Sequence, residues 1–152
     1  MSKEIWKPNV VVAAVAEREG KFLLVEEEIQ DGRLVFNQPA GHWDPGETLI
    51  EACVRETLEE TAYAFRPTAL LGVYSWTLPG TDKTYLRFAF CGEVGERDPA
   101  RKLDKEIRQA LWLSVEEIRA CRERHRSPLL MRCIEAYSSG VRYPLELITH
   151  YA

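Results

Sequence analysis

Three glutamates, Glu56, Glu59 and Glu60, are spaced so that their carboxylates share one face of a helix. At about 100° per residue, Glu60 lies about 40° to one side of Glu56 and Glu59 about 60° to the other. Like charges at this spacing repel by roughly 0.2–0.5 kcal/mol per exposed pair. A divalent cation such as Mg²⁺, which prefers oxygen ligands, would turn that repulsion into binding. The spacing therefore predicts a metal site, although most acidic helix faces are simply solvated.

The helix that must position these acids is bounded by clear local signals. Thr48 and Glu51 have the spacing of a capping box, and residues 49–61 contain neither glycine nor proline. The opposite side of this helix is predicted to face the core and carries Ile50, Val54 and Leu58.

The residues around the acids resemble the Nudix box, a highly specific pattern of glycine, acids and arginine. The box positions are occupied, at the same spacings, by Gly41, Glu47, Arg55, Glu56, Glu59 and Glu60. Three positions depart from the pattern. Thr57 and Tyr63 replace aliphatic residues, and Ala62 replaces the glycine that follows the helix. None of these changes removes an acid.

The resemblance implies an α+β fold, in which a mixed β-sheet lies in an α/β/α sandwich with a loop-helix-loop catalytic motif. It implies that Glu56, Glu59 and Glu60 bind Mg²⁺, for which Mn²⁺ could substitute. The carbonyl of Gly41 is implied as a further ligand. The implied activity is that of a hydrolase in which metal-activated water attacks a phosphoanhydride.

The same resemblance gives roles to three other residues. Arg55 is implied to pair with Glu47 and to orient an acid, since a guanidinium can hold several carboxylates in place. Glu106, which lies before the apolar residues 111–113, is implied as an acid supplied by a later loop. The identity of the general base and the number of metal ions stay open.

Segments outside the box resemble one bacterial phosphatase subfamily of these hydrolases. That resemblance implies hydrolysis of nucleoside tri- and diphosphates with release of phosphate, and activity on the pyrophosphate of hydroxymethylpyrimidine, a thiamine precursor. Whether orthophosphate or pyrophosphate leaves is not decided by the sequence. The main alternative is a nucleotide-diphosphate sensor that does not hydrolyse its ligand. The segments are residues 37–42, 86–88, 126–129 and 143–146.

Four residues are predicted to contact the substrate. Arg87, among aromatic residues on a strand, would grip a phosphate, although a lone arginine on a strand is more often an exposed surface residue. Trp76 and Tyr85 would stack on a base, although aromatic residues on strands are more often core. His42 follows the box glycine and would reach the substrate from its loop.

The remaining elements are predicted from apolar runs and turn residues. Residues 10–16 and 22–25 should form a hairpin, and residues 37–42 a shaped loop broken by Pro39 and Gly41. Two shorter helices should begin near residues 115 and 128. The length suits one domain spanning residues 1–152. Further strands are predicted at residues 34–36, 69–78, 85–91 and 111–113.

Charge and composition restrict the partners. The net charge is −4 without a cluster of lysine and arginine, which argues against a nucleic-acid polymer and for a small phosphoanhydride substrate. No apolar run is long enough to span a membrane. The four cysteines form no Cys-x-x-Cys pair, so we expect reduced thiols in a cytoplasmic protein. Nothing demands an oligomer, and we expect a monomer.

Overall fold

The computed structural model describes residues 3–151, which form eight strands and three α-helices. Within these residues, no helix is long and apolar enough to cross a membrane. The strands are Asn9–Val15 (β1), Glu17–Arg18 (β2), Lys21–Glu28 (β3), Leu34–Asn37 (β4), Ala40–His42 (β5), Tyr63–Thr77 (β6), Thr84–Arg97 (β7) and Ile107–Ser114 (β8). The helices are Leu49–Thr61 (α1), Val115–Ala120 (α2) and Leu129–Ser138 (α3), with short 3-10 turns at Arg122–Arg124 and Leu145–Leu147.

The strands are arranged in two sheets. The first is mixed and has the order β5-β1-β7-β6, with β1 parallel to β7 and the other pairs antiparallel. In the second sheet, β3 pairs antiparallel with β8 along one edge and with β2 and β4 along the other. The β5 strand is the edge of the mixed sheet, so its backbone is free to approach α1.

Helices cover both faces of the mixed sheet. Alternate residues of β1 point to opposite faces and pack against different helices. Val12 and Ala14 join Ala52 of α1 in one core cluster. Val15 joins Leu130 of α3, with residues of α2, in the other cluster. A strand buried on both faces is apolar throughout, as residues 10–16 are. The expected α/β/α arrangement with a mixed sheet is confirmed.

The predicted hairpin between residues 10–16 and 22–25 is wrong, because the two strands belong to different sheets. The turn itself is present, since Glu19 and Gly20 have φ of 53° and 79°. It joins the short β2 to β3 instead. The chain changes sheets at Ala16, which is fully buried.

The segment predicted as a shaped loop is partly a strand. Residues 40–42 form β5, in register with residues 11–13 of β1. Proline can precede a strand without breaking its ladder, and the carbonyl of Pro39 accepts a hydrogen bond from the N–H of Ala14 at 2.9 Å. The box glycine therefore lies in a regular edge strand.

The helix α1 has the predicted bounds, and Thr48 and Glu51 form the predicted capping box. The predicted apolar stripe is rotated. Ile50, Val54 and Leu58 are only half-buried. The side that is fully covered carries Leu49, Ala52, Cys53, Thr57, Glu60 and Thr61.

Small and hydroxyl-bearing residues explain this rotation. Ala52 and Cys53 allow close approach to the sheet, and the Thr57 hydroxyl is satisfied inside the helix by donating to the Cys53 carbonyl at 2.8 Å. The rotation draws Glu60 into the interior. The helix ends at Ala62, which has a left-handed φ of 63°, a conformation that suits glycine better.

Candidate metal and active site

Three carboxylates converge beside α1, from Glu56, Glu60 and Asp104. One oxygen of each lies within 4.8 Å of those of the other two. Glu56 and Glu60 come from successive turns of the helix, and Asp104 comes from the loop before β8. A donor set made only of carboxylate oxygens suits a hard divalent cation such as Mg²⁺ or Mn²⁺ rather than Zn²⁺.

The loop acid of this group is Asp104, which the sequence analysis did not single out, and the catalytic role of Glu106 in the same loop stays a prediction. The N–H of Asp104 donates to the carbonyl of Glu59 at 3.0 Å, which fixes the loop against the C-terminal turn of α1. Glu106 is exposed, and its carbonyl accepts from the N–H of Glu28 at 2.9 Å. Both acids stand in the same short loop, so the sequence offers no signal for choosing between them.

Gly41 brings the backbone of β5 against the carboxylate of Glu56. A Cβ atom at position 41 would lie 2.1 Å from Cδ of Glu56. Real Cβ contacts are never this short, so the requirement for glycine comes from close approach and not from a positive φ. The implied role of the Gly41 carbonyl as a metal ligand stays a prediction.

Glu60 is a buried acid with one well-defined partner. Its residue is 5% exposed, and Oε1 accepts a hydrogen bond from the N–H of Ala40 at 2.9 Å. Burial, with smaller contributions from the charges of Glu27, Glu56 and Asp104, raises the pKa of Glu60 to about 9. Burial likewise raises the pKa of Glu56 to about 7. A cation bound among these acids would offset the cost of ionising them, so the site fits a metal.

Arg55 forms hydrogen bonds with three of the box acids, Glu47, Glu56 and Glu59. Its Nε and Nη2 bind the two carboxylate oxygens of Glu47 at 3.0 and 2.7 Å, a bidentate pair. Its Nη1 donates to Glu56 at 2.8 Å and to Glu59 at 2.7 Å. Arg55 therefore pairs with Glu47 and orients acids, as the resemblance implied. Glu59 is turned toward Arg55 and lies outside the three-acid group, and its role as a ligand stays a prediction.

Glu27 is a neighbouring acid that the sequence did not reveal. Its side chain is 6% exposed and lies 2.8 Å from a guanidinium nitrogen of Arg126. The Glu27 carboxylate is one of the charges that raise the pKa of Glu60. Glu27 stands in a run of three glutamates at the end of β3, a pattern typical of an exposed strand end. Its burial therefore could not be predicted from the sequence and is seen only in the folded structure.

The predicted phosphate contact of Arg87 is corrected by the structure. Arg87 is 4% exposed. Its Nη1 donates to Oε1 of Gln38 at 2.8 Å, and its Nη2 donates to Oδ1 of Asn37 at 3.0 Å. The guanidinium is thus enclosed and occupied by side-chain amides. The aromatic surroundings in the sequence suggested a ligand site, but they reflect an interior position in the sheet.

The other three predicted substrate contacts remain accessible. Trp76, near the end of β6, and Tyr85, near the start of β7, are cross-strand partners, and their half-buried rings stack on each other with centroids 6.3 Å apart. His42 is exposed at the end of β5, and its carbonyl accepts from Arg55 at 3.0 Å. Substrate contact by these residues stays a prediction.

We expect the metal-free protein to lose stability as the pH rises from 4.5 toward 9, the interval between the usual pKa of Glu60 and its raised value in the fold. The folded chain keeps a proton there that the unfolded chain releases, so stability is full below this interval and falls through it. Thermal unfolding in EDTA should show this decline, and Glu60→Gln should make it shallower, leaving the smaller part that comes from the raised pKa of Glu56. A wild-type profile parallel to that of Glu60→Gln would contradict the prediction.

The fold and the acids at this site define a class of protein. The NUDIX domain family model matches residues 6–133, and the chain belongs to the Nudix hydrolases. It is 45% identical over 145 residues to Phosphatase NudJ of Escherichia coli K12, an alignment that covers 95% of this chain and 92% of that protein. The resemblance found in the box is therefore confirmed.

Solved structures agree with this assignment. A NUDIX hydrolase from Nitrosomonas europaea is 53% identical and superposes with a TM-score of 0.93, covering 95% of this chain and 98% of that one. A UDP-X diphosphatase shares the fold with a TM-score of 0.73, covering 93% of this chain and 68% of that one, at 19% identity. At that identity the likeness concerns the fold alone.

Proposed function

We propose that this Nudix hydrolase cleaves phosphoanhydride bonds of nucleoside tri- and diphosphates and related small pyrophosphates, including hydroxymethylpyrimidine pyrophosphate, and releases orthophosphate. The reaction would depend on Mg²⁺, with Mn²⁺ as a substitute. The observation that carries the proposal is the convergence of three carboxylates from a helix and a separate loop within 4.8 Å. The phosphatase activity named for the relative from Escherichia coli supports release of phosphate.

The residues that would hold the cation are Glu56, Glu60 and Asp104, with the Gly41 backbone beside them. When bound, such a cation screens the phosphate oxygens and makes a water molecule more acidic. The chain supplies the fixed geometry. The N–H of Ala40 holds Glu60 in place, since a carboxylate that accepts a backbone hydrogen bond loses rotational freedom.

Arg55 and Glu59 complete the proposed chemistry. Arg55 binds Glu47 through two hydrogen bonds, so its guanidinium is fixed before it meets the other acids. Glu59 keeps 30% of its side chain exposed while Oε1 is held by Arg55. Among the box acids, Glu59 is therefore well placed to accept a proton from the attacking water molecule, a role that the sequence left open.

A substrate screen tests this function directly. Nucleoside tri- and diphosphates and hydroxymethylpyrimidine pyrophosphate would be incubated with the protein, and orthophosphate and pyrophosphate would be measured separately. We expect orthophosphate release that EDTA abolishes and added Mg²⁺ restores. Release of pyrophosphate alone would show that water reaches a different phosphorus. A nucleotide that stays bound and intact after long incubation with Mg²⁺ would identify a sensor and overturn the proposal.

We expect Asp104→Asn to weaken Mg²⁺ binding and to lower kcat/KM by about 100-fold or more, because even residues that only support a metal ligand contribute about 10–100-fold. Asparagine keeps the backbone hydrogen bond to Glu59, so the loop should stay in place. Glu106→Gln is the matched comparison, two residues away and exposed. If Asp104 alone is the loop acid, Glu106→Gln should change neither quantity by more than about twofold, whereas a larger fall in kcat/KM would support the catalytic role predicted for Glu106. Calorimetric Mg²⁺ titration and steady-state kinetics measure both, and the reverse ranking would contradict the assignment.

A further inference from the structure

We propose that Arg87 is a positioning residue for the acids of the site, acting from the protein interior through residues 37–41. This segment carries the Ala40 N–H that binds Glu60 and the Gly41 backbone that meets Glu56. The inference rests on the proposed function in one respect, namely that these acids bind a divalent cation.

The surroundings of Arg87 are unusual for a charged residue. It lies on β7 between Val11 of β1 and Tyr74 of β6, and is therefore central in the mixed sheet. Within residues 3–151, its guanidinium donates only to neutral groups, two side-chain amide oxygens and the Cys133 sulfur at 3.7 Å, and Nε has no partner there. Burying a charge with neutral partners costs free energy. Packing alone gives no reason for arginine here.

The two amides held by Arg87 begin the segment that leads to the site. Gln38 is 1% exposed, and its Nε2 donates to the carbonyl of Leu130 in α3 at 2.8 Å. The side chain of Asn37 accepts from the N–H of Gln38 at 2.9 Å as well as from Arg87. Arg87 therefore ties the end of β4, in the second sheet, to the middle of the mixed sheet. It also fixes which way both amides point.

The link from these amides to the acids is short and stiff. Pro39 has a fixed φ, and Gln38 before it is restricted to extended conformations. The Pro39 carbonyl is bound by Ala14, and the next N–H, of Ala40, binds Glu60 at 2.9 Å. A displacement of the Gln38 backbone is therefore transmitted to Ala40 and Gly41, because the restricted dihedral angles between them cannot compensate for it. Arg87 acts on Glu60 and Glu56 through this path.

Binding of Mn²⁺ to the protein alone tests the inference without any turnover. Free Mn²⁺ is followed by electron paramagnetic resonance during titration of folded protein, and thermal unfolding is recorded in parallel. We expect Arg87→Met to raise the Kd for Mn²⁺ by about 10–100-fold, the usual effect of residues that support a metal ligand. Arg87→Lys keeps a donor and should raise the Kd less. If Arg87 only stabilised the fold, the melting temperature would fall and the Kd of folded protein would not change, which would overturn the inference.

Two controls separate positioning from general loss of stability. Ile118→Val removes a methylene from a fully buried residue of α2 and should cost about 0.5–1.5 kcal/mol while leaving the Kd for Mn²⁺ unchanged. Gln38→Leu should weaken Mn²⁺ binding as Arg87→Met does. Because Gln38 and Arg87 act on one path, the Kd for Mn²⁺ of the double variant should be no more than about twofold above the higher of the two single-variant Kd values. Multiplication of the two effects would indicate separate routes and would contradict the inference.

The outcomes also distinguish the two proposals. A wild-type protein that binds no Mn²⁺ would refute the proposed metal-dependent function. A wild-type protein that binds Mn²⁺ as tightly as Arg87→Met would refute only the role of Arg87. If Arg87→Met does not fold, Arg87→Lys and Gln38→Leu give the same comparison.

Discussion

Glu60→Gln should abolish hydrolysis and, in the same protein, raise the stability of the metal-free fold. Glutamine keeps the shape of the side chain and an oxygen for the Ala40 N–H, but it cannot ionise to hold a cation. Activity should fall by more than about 100-fold, because residues that merely support a ligand already contribute about 10–100-fold. The loss would come from binding of the cation and not from unfolding.

The stability gain follows from the raised pKa. With a pKa of about 9 in the fold and 4.5 in the unfolded chain, Glu60 retains a proton near pH 7 that the unfolded state gives up. The resulting cost to the wild type is on the order of 3 kcal/mol, which glutamine does not incur. This corresponds to roughly 6–12 °C in melting temperature for a chain of this size. Calorimetric scans in EDTA near pH 7 measure the difference.

Mg²⁺ should reverse this order of stability. The wild type binds the cation and gains stability with the logarithm of its concentration above the Kd, whereas Glu60→Gln should gain little. Scans with and without Mg²⁺ therefore show whether Glu60 is the group that exchanges a proton for a metal ion. A Glu60→Gln protein that is both active and stabilised by Mg²⁺ to the same extent as the wild type would disprove the assignment.

Gly41→Ala should cause a large loss of activity with little loss of stability. The new methyl group would lie 2.1 Å from Cδ of Glu56, so the carboxylate at the end of that flexible side chain must move. The backbone of β5 is not obliged to shift, which keeps the cost in folding free energy small. Displacing one acid of the three should lower kcat/KM by about 10–100-fold and weaken Mg²⁺ binding similarly.

Gly95→Ala is a matched control for this substitution. Gly95 is an exposed residue of β7, where a Cβ would lie 3.2 Å from the Cβ of Ala64. Beyond its two chain neighbours, no acidic side chain lies within 4 Å of that Cβ position among the described residues. It should leave kcat/KM within about twofold of the wild type. Kinetics and Mg²⁺ calorimetry on both variants, with melting curves, complete the test. Equal activity of Gly41→Ala and the wild type would mean that Glu56 is not needed where the structure places it.

The sequence predicted what local signals control. The ends of α1 follow from the capping residues Thr48 and Glu51 and from the absence of glycine and proline in between. The acids Glu56 and Glu60 share a helix face because the helical repeat is fixed, whatever surrounds them. Recognition of the box then gave the fold class and the class of enzyme.

What the sequence did not predict depends on contacts between distant segments. The rotation of α1 comes from how closely Ala52 and Cys53 approach the sheet, and it decides that Glu60 is buried. The convergence of Asp104 with Glu56 and Glu60 depends on a backbone hydrogen bond from Asp104 to Glu59. The interior position of Arg87 depends on two amides almost fifty residues away. None of these contacts leaves a periodic or compositional trace.

The hydrogen bond from Asp104 to the carbonyl of Glu59 has a consequence for motion. The same loop also closes the helix further along, since the N–H of Asp98 donates to the Ala62 carbonyl at 2.8 Å. Fraying of the last turn of α1 and departure of Asp104 from its partners are therefore one local opening event. An occupied site would slow that event, and the end of this helix would become a reporter of occupancy through amide exchange.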